Sequence, residues 1–156
     1  MLGSPVESWY LWVGLAAASV ALVGVAVELP RTAPPDAAAA ATTVDGVAAS
    51  PYDAVGEHPI RADAVRLSSR RIALRRDGTT ARAGFAFGPV VPVPPCEGPL
   101  RRVLAGGSPA ERFDSRAAFA SAAERARGRD PAWRPAPDRL TVRHVSWGGV
   151  DATLVG

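Results

Sequence analysis

Lysine, asparagine and glutamine are missing from this chain of 156 residues, so all 18 basic side chains are arginine. That bias fits a GC-rich coding sequence better than any chemical demand, and the basic balance has to be read in its light. A single cysteine, Cys96, excludes an internal disulfide. The two histidines, His58 and His144, lie 86 positions apart with no second cysteine beside either, so no zinc-ligand spacing exists. Cys96 sits in a proline-rich stretch, and a chance thiol explains it better than a reactive one, which needs an activating environment. Aromatic residues are scarce at 6%, and alanine supplies 31 of the residues that make up the 47% hydrophobic content. Side chains this small cannot wall a deep ligand-enclosing core, and a chain this short excludes a large multi-domain enzyme.

One long apolar run stands out. Residues 9–27 (WYLWVGLAAASVALVGVAV) hold no charge over nineteen positions and are bounded by Glu7 and Glu28. A helix of that length spans roughly 28 Å at about 1.5 Å per residue, close to the hydrocarbon thickness of a bilayer. Trp9, Tyr10 and Trp12 gather at one end as interfacial rings do, and Pro30, Pro34 and Pro35 stop the helix beyond the other. Three readings compete with a retained anchor. A cleaved secretory signal needs a basic first region, which residues 1–8 lack. A buried core helix needs more large apolar side chains around it than the rest of the chain supplies. A pilin-type leader is suggested by Gly3 and Glu7, but the basic residue expected before its cleavage point is missing. A single transmembrane helix over 9–27 is therefore expected. Small residues at Gly14 and Ala18 have the spacing of close helix packing, which so alanine-rich a segment produces by coincidence.

Beyond the anchor, prolines stiffen a linker, and residues 36–50 (DAAAAATTVDGVAAS) predict an alanine-rich helix that Ser50-Pro51 ends. Gly46 weakens it by about 1 kcal/mol relative to alanine, and a loose spacer is the alternative. From Ala64 onward the pattern is that of strands. Residues 70–76 and 79–87 flank Asp77-Gly78, a two-residue loop in which both positions need positive φ. Pairing Arg76 with Thr79 sets Leu74 opposite Ala81 and Ile72 opposite Ala83, which leaves Arg71, Arg75 and Arg82 on the other face. Val65 and Leu67 suggest a preceding strand, with Ser68-Ser69 as a turn. Residues 88–99 carry five prolines in twelve positions, which permits a loop or an edge and nothing more regular. Residues 113–128 predict a second helix, capped by Asp114 or Ser115, closed by Gly128 in a left-handed position, with Phe119, Ala122, Ala123 and Ala126 as its narrow apolar face. A second hairpin, residues 140–147 and 150–155, turns at Gly148-Gly149.

That last hairpin places Ser146 opposite Asp151 and His144 opposite Thr153. Serine, histidine and aspartate on one face invite a hydrolase reading, but no nucleophile turn, oxyanion hole or cleft accompanies them. Solvated cross-strand pairs explain the grouping better. The arginines carry more. After Glu28 there are 18 arginines against 13 acids, a net of +5, with a local cluster at Arg66, Arg70, Arg71, Arg75 and Arg76. Arg66, Arg71, Arg75 and Arg82 are the candidate anion contacts, for phosphates or anionic headgroups. A solvated, edge-protecting face is the bland alternative, and no nucleic-acid-binding motif supports nucleic acid as a partner.

The anchor segment WYLWVGLAAASVAL, the PPDAAAAATTVDGVAASPY that follows it, the central GFAFGPVVPV and the ending WRPAPDRLTVRHVSWGGVDATLVG together resemble a family of small uncharacterised single-pass membrane proteins of halophilic archaea. The resemblance covers nearly the whole chain. It implies an association with type IV pilus-like or secretion gene clusters, and hence an accessory role in the cell envelope, without any functional residues to carry over. The expectation is an α+β protein: a tail over 1–8, a transmembrane helix over 9–27, a linker and juxtamembrane helix over 28–50, and a soluble domain over 51–156 in which two antiparallel hairpins form one short sheet with one or two packed helices. No enzymatic activity, cofactor or metal is expected. The partners are the lipid bilayer and envelope-assembly proteins, with anionic lipid or polymer as the alternative. Arg31 alone votes for a cytoplasmic domain, and the envelope association for an external one.

Overall fold

The computed structural model describes residues 34–96 and 98–156. The expected transmembrane helix over 9–27 lies outside the described residues. Among the described residues no helix is long and apolar enough to cross a membrane.

Residues Pro34–Gly156 form one compact unit. It opens with α1 (Ala37–Ala48), whose N-cap Asp36 accepts a hydrogen bond from the Ala39 N–H at 2.8 Å. Ala37, Ala40, Ala41, Val44 and Val47 recur at helical spacing and are all buried. Eight strands follow in the order β1 (Ala54–Pro59), β2 (Ala64–Leu67), β3 (Arg71–Arg76), β4 (Thr79–Gly84), β5 (Val91–Pro92), β6 (Arg134–Pro135), β7 (Arg139–Trp147) and β8 (Val150–Val155). Between β5 and β6 come α2 (Pro99–Leu104), α3 (Pro109–Arg112) and α4 (Arg116–Arg127). The α+β class holds.

The strands form two sheets, one ordered β1-β7-β8-β5 and the other β4-β3-β2-β6. Each expected hairpin is present, but they do not share a sheet. The β7–β8 hairpin is the middle of its sheet, between β1 and β5, whereas the β3–β4 hairpin has β4 at the edge and β2 beside β3. Both predicted registers are observed: Leu74 faces Ala81 and Ile72 faces Ala83, while Val145 faces Ala152 and Trp147 faces Val150. The turns have the required geometry, with φ of 47° at Asp77, 78° at Gly78, 58° at Gly148 and 85° at Gly149. All pairings are antiparallel except β5 on β8, the short proline-bearing edge.

Two cores result from this partition. In the first, α1 packs against both sheets: Val44 and Val47 join Leu140, Val142 and Val155 from one and Val65, Ile72 and Leu74 from the other. Gly56 makes the close approach of α1 to β1 possible, since a Cβ there falls 2.6 Å from Val47 Cγ2. In the second, Phe119, Ala123 and Ala126 of α4 and Val103 and Leu104 of α2 cover Val145, Ala152 and Leu154 on the opposite side of the β7–β8 hairpin. The expected boundary at residue 51 divides α1 from sheets that it packs on, whereas the compact unit begins at Pro34. Ser115 rather than Asp114 caps α4, accepting from the Ala118 N–H at 3.1 Å. Gly128, expected in a left-handed position, has φ −81° instead, so the helix ends without reversing its hand.

Candidate functional site

Alternation along β3 sends its two sets of side chains to opposite faces. Ile72 and Leu74 enter the first core, and Arg71, Ala73 and Arg75 turn outward. The registers of β2 with β3 and of β3 with β4 place Arg66, Ala73 and Arg82 in one row across three strands. With strands roughly 4.8 Å apart, the backbones of Arg66 and Arg82 stand about 10 Å from each other, and Arg71 and Arg75 are about 13 Å apart along β3. The four residues singled out in the sequence thus surround Ala73, which is only 5% exposed. Small neighbours leave space between them, because Arg71 pairs with Gly84 and Arg75 pairs with Ala64.

The space is a hollow of about 380 Å³. Arg66, Arg70, Arg71 and Arg82 line it around the Ala73 floor, and Pro131 and Trp133 wall one side. Arg75 takes a different part from the one expected, since its guanidinium lies over the Trp133 ring, 4.8 Å from the centroid. Arg70 lines the hollow in its stead. The turn that carries Arg70 is held by Ser68, whose hydroxyl accepts from the Arg71 N–H at 3.1 Å and donates to the Arg71 carbonyl at 3.2 Å. Ser68, Ser69, Pro131 and Trp133, which all line the hollow, are contributions that sequence reasoning missed. Trp133 arrives from the segment before β6, through a contact too distant along the chain for any local pattern to signal.

Ion pairs are few on the described surface, and the clustering of cations is what sets this face apart. Ion pairs among the described residues join Arg76 to Asp77, Arg127 to Glu124 and Arg139 to Glu57. None of Arg66, Arg70, Arg71, Arg75 and Arg82 has a carboxylate partner among the described residues. Two unit charges 10 Å apart in water repel by about 0.4 kcal/mol. The fold tolerates that easily, yet five clustered cations make a persistent attraction for any anion.

The other polar groupings make hydrogen bonds within the fold. The imidazole Nδ1 of His144 lies 3.0 Å from the Thr153 hydroxyl, and Ser146 is fixed through its backbone N–H, which donates to Asp53 Oδ1 at 2.9 Å. A shallow cleft lined by His144, Asp151 and Thr153 does not include Ser146. Arg143 donates to the carbonyls of Val103 at 2.5 Å and Gly107 at 3.1 Å, satisfying the end of α2. Burial, with the nearby charge of Arg101 second, holds the pKa of Arg134 below the ordinary arginine value, and its guanidinium donates to the Val93 carbonyl at 3.3 Å. Cys96 is exposed. No cluster of metal-ligating side chains occurs among the described residues.

Comparison with known proteins returns no match among curated proteins and none among solved structures. A family model does match, over residues 3–145, which takes in the apolar run, α1 and every strand of the arginine-bearing sheet. The chain belongs to DUF7283, a family of unknown function.

Proposed function

We propose that this protein is a membrane-tethered, non-enzymatic accessory component of the cell envelope whose folded domain engages an anionic lipid or polymer through the outer face of the β4-β3-β2-β6 sheet. The observation that carries the reading is the division of that sheet. One face is committed to the core, and the other gathers arginines without carboxylate partners among the described residues. The tether rests on the uncharged run over 9–27 with its aromatic end. Its place in a pilus-like or secretion assembly of a halophilic archaeon, with the domain outside the cell, rests on the sequence resemblance. The non-enzymatic reading draws support from Ser146 and His144, which share a strand face but no cleft.

Full-length protein in nanodiscs tests the anion contact. Co-flotation with phosphatidylglycerol vesicles, and retention on immobilised polyglutamate, should each fall with added salt. The double substitution Arg71→Glu and Arg82→Glu should abolish both. Binding that survives this charge reversal would sink the proposal. Sidedness is read from Cys96, whose exposure suits a membrane-impermeant thiol reagent. Labelling of intact cells is expected, and labelling only after lysis would put the domain in the cytoplasm. Ser146→Ala should leave every property unchanged, and a hydrolytic activity lost with that hydroxyl would overturn the non-enzymatic reading.

A further inference from the structure

The arginine face is recessed, and the recess says which anion it suits. We infer that the hollow above Ala73 is a discrete binding site for a clustered phosphate group, of the kind carried by a diphosphate or a phosphomonoester, and is more than a patch for general contact with a charged surface. The inference rests on the anion-binding reading above and narrows it to a ligand class.

Three observations carry it. The first is shape. Ala73 is 5% exposed although it lies on the outward face of β3, at the base of the hollow that Trp133, Pro131 and the arginines line. A flat bilayer or a stiff polymer touches the rim of such a hollow without filling it, while a compact group can reach the floor. The volume of about 380 Å³ falls within the roughly 300–1,000 Å³ of small-molecule sites.

The second is donor count. Each guanidinium offers five N–H groups in a planar fork that suits two acceptor oxygens at once. A carboxylate is saturated by one or two such forks. Arg66, Arg70, Arg71 and Arg82 all line one hollow, so the ligand that uses them needs many oxygens and more than one negative charge. Phosphoryl groups supply both.

The third is what the neighbouring groups do. Ser68 is occupied in holding its own turn, but the Ser69 hydroxyl on the same wall forms no hydrogen bond among the described residues and is free to donate to an oxyanion. Arg75, stacked on Trp133, stiffens the wall and adds positive potential without lining the hollow. Arg66, Arg71 and Arg82 are thus carried on strand backbone and Arg70 on the turn that Ser68 holds, which roots the four cations around one hollow.

Equilibrium dialysis of the full-length protein in neutral detergent micelles against sodium pyrophosphate, at fixed ionic strength, decides the matter. Saturable binding near one equivalent is expected. Arg71→Lys keeps the charge but loses the fork, and Arg82→Ala removes both, so each should weaken binding by roughly tenfold or more, the scale of one charge-assisted bidentate contact. Arg112→Ala, on exposed α3 outside the hollow, should leave it unchanged. Circular dichroism checks that every variant keeps its fold. Three results would overturn the inference. Pyrophosphate binding unaffected by Arg71→Lys and Arg82→Ala would place the site elsewhere. No pyrophosphate binding, while polyglutamate or vesicle binding still depends on Arg71 and Arg82, would leave a general anionic surface and remove the discrete phosphate site. No binding of any of the three probes would take the anion-binding reading down with it.

Discussion

The two hairpins of this protein are built alike and used differently. Both turn through two residues with positive φ, and both set their register from that turn. The β7–β8 hairpin is then covered on both sides, by α1 and the other sheet on one and by α2 and α4 on the other. Ala152, Thr153, Leu154 and Val155 are buried in succession, as the interior strand of a layered fold requires. The β3–β4 hairpin is covered by α1 on one face only, and its outward face holds Arg71, Arg75 and Arg82. Folding needs the first hairpin to be apolar on both sides. Nothing in the core requires the second to be arginine-rich on its outer side. That excess of charge over what folding demands is what the proposed anion contact draws on.

The comparison breaks most visibly in the second core. Phe119 is fully buried, with its ring 5.3 Å from that of Phe113 and 6.2 Å from that of Trp147. Phe119→Ala should cost about 3–5 kcal/mol, the range for deleting a buried aromatic and leaving its cavity. Urea denaturation followed by circular dichroism measures it. A loss under about 1 kcal/mol would mean that α4 is not a structural cover for the β7–β8 hairpin.

A smaller effect separates the two turns. Gly78 and Gly148 both hold positive φ, so valine at either stores strain of order 1–3 kcal/mol. The surroundings differ. A Cβ on Gly78 meets open space, whereas one on Gly148 falls 2.2 Å from Arg116 Cδ and displaces a side chain that donates to the Gly148 carbonyl at 3.2 Å. Gly148→Val should therefore lower the melting temperature further than Gly78→Val. Equal losses would show that the Arg116 contact contributes nothing, and an unchanged melting temperature for Gly78→Val would remove turn strain from the account of the β3–β4 hairpin.

What was legible in the sequence was what the chain encodes within a few residues. Asp77-Gly78 and Gly148-Gly149 announced their turns, and each turn carried its register, because pairing across a two-residue loop leaves no freedom. Asp36 and Ser115 announced helix starts through side chains that accept from the N–H three residues on. The choice of one sheet or two was not legible, because it depends on β1 and β2 joining different hairpins, and alternation in strands this short is compatible with either. The role of α1 was hidden by its composition: alanines that suit a spacer also suit a helix wedged close between two sheets, and only Gly56 and the opposing valines distinguish the two. For the site, alternation put Arg71, Arg75 and Arg82 on one face, and adding Arg66 completed the expected set. The exchange of Arg75 for Arg70 and the wall made by Trp133 arise from a contact across 58 positions, counted from Arg75 to Trp133.

The smallest effect concerns the arginines themselves, and its sign is informative. If the outer face of β3–β4 is surplus to folding, removing one charge from it should not destabilise the protein. Arg82→Ala deletes a cation that stands opposite Ala73 with Arg66 beyond it, and no carboxylate among the described residues loses a partner. The relief of repulsion is about 0.4 kcal/mol for each neighbouring arginine at 10 Å in water, before screening by salt. Lost packing of the arginine stem opposes it by a similar amount. The melting temperature should therefore stay level or rise slightly in low salt. The difference from the unsubstituted protein should shrink toward the stem term alone near 1 M salt, where the screening length is about 3 Å. A salt series of thermal melts on both proteins reads this directly. If Arg82→Ala instead costs more than about 1 kcal/mol at every salt concentration, the guanidinium is holding structure in place, and the arginine face belongs to the fold before it belongs to any ligand.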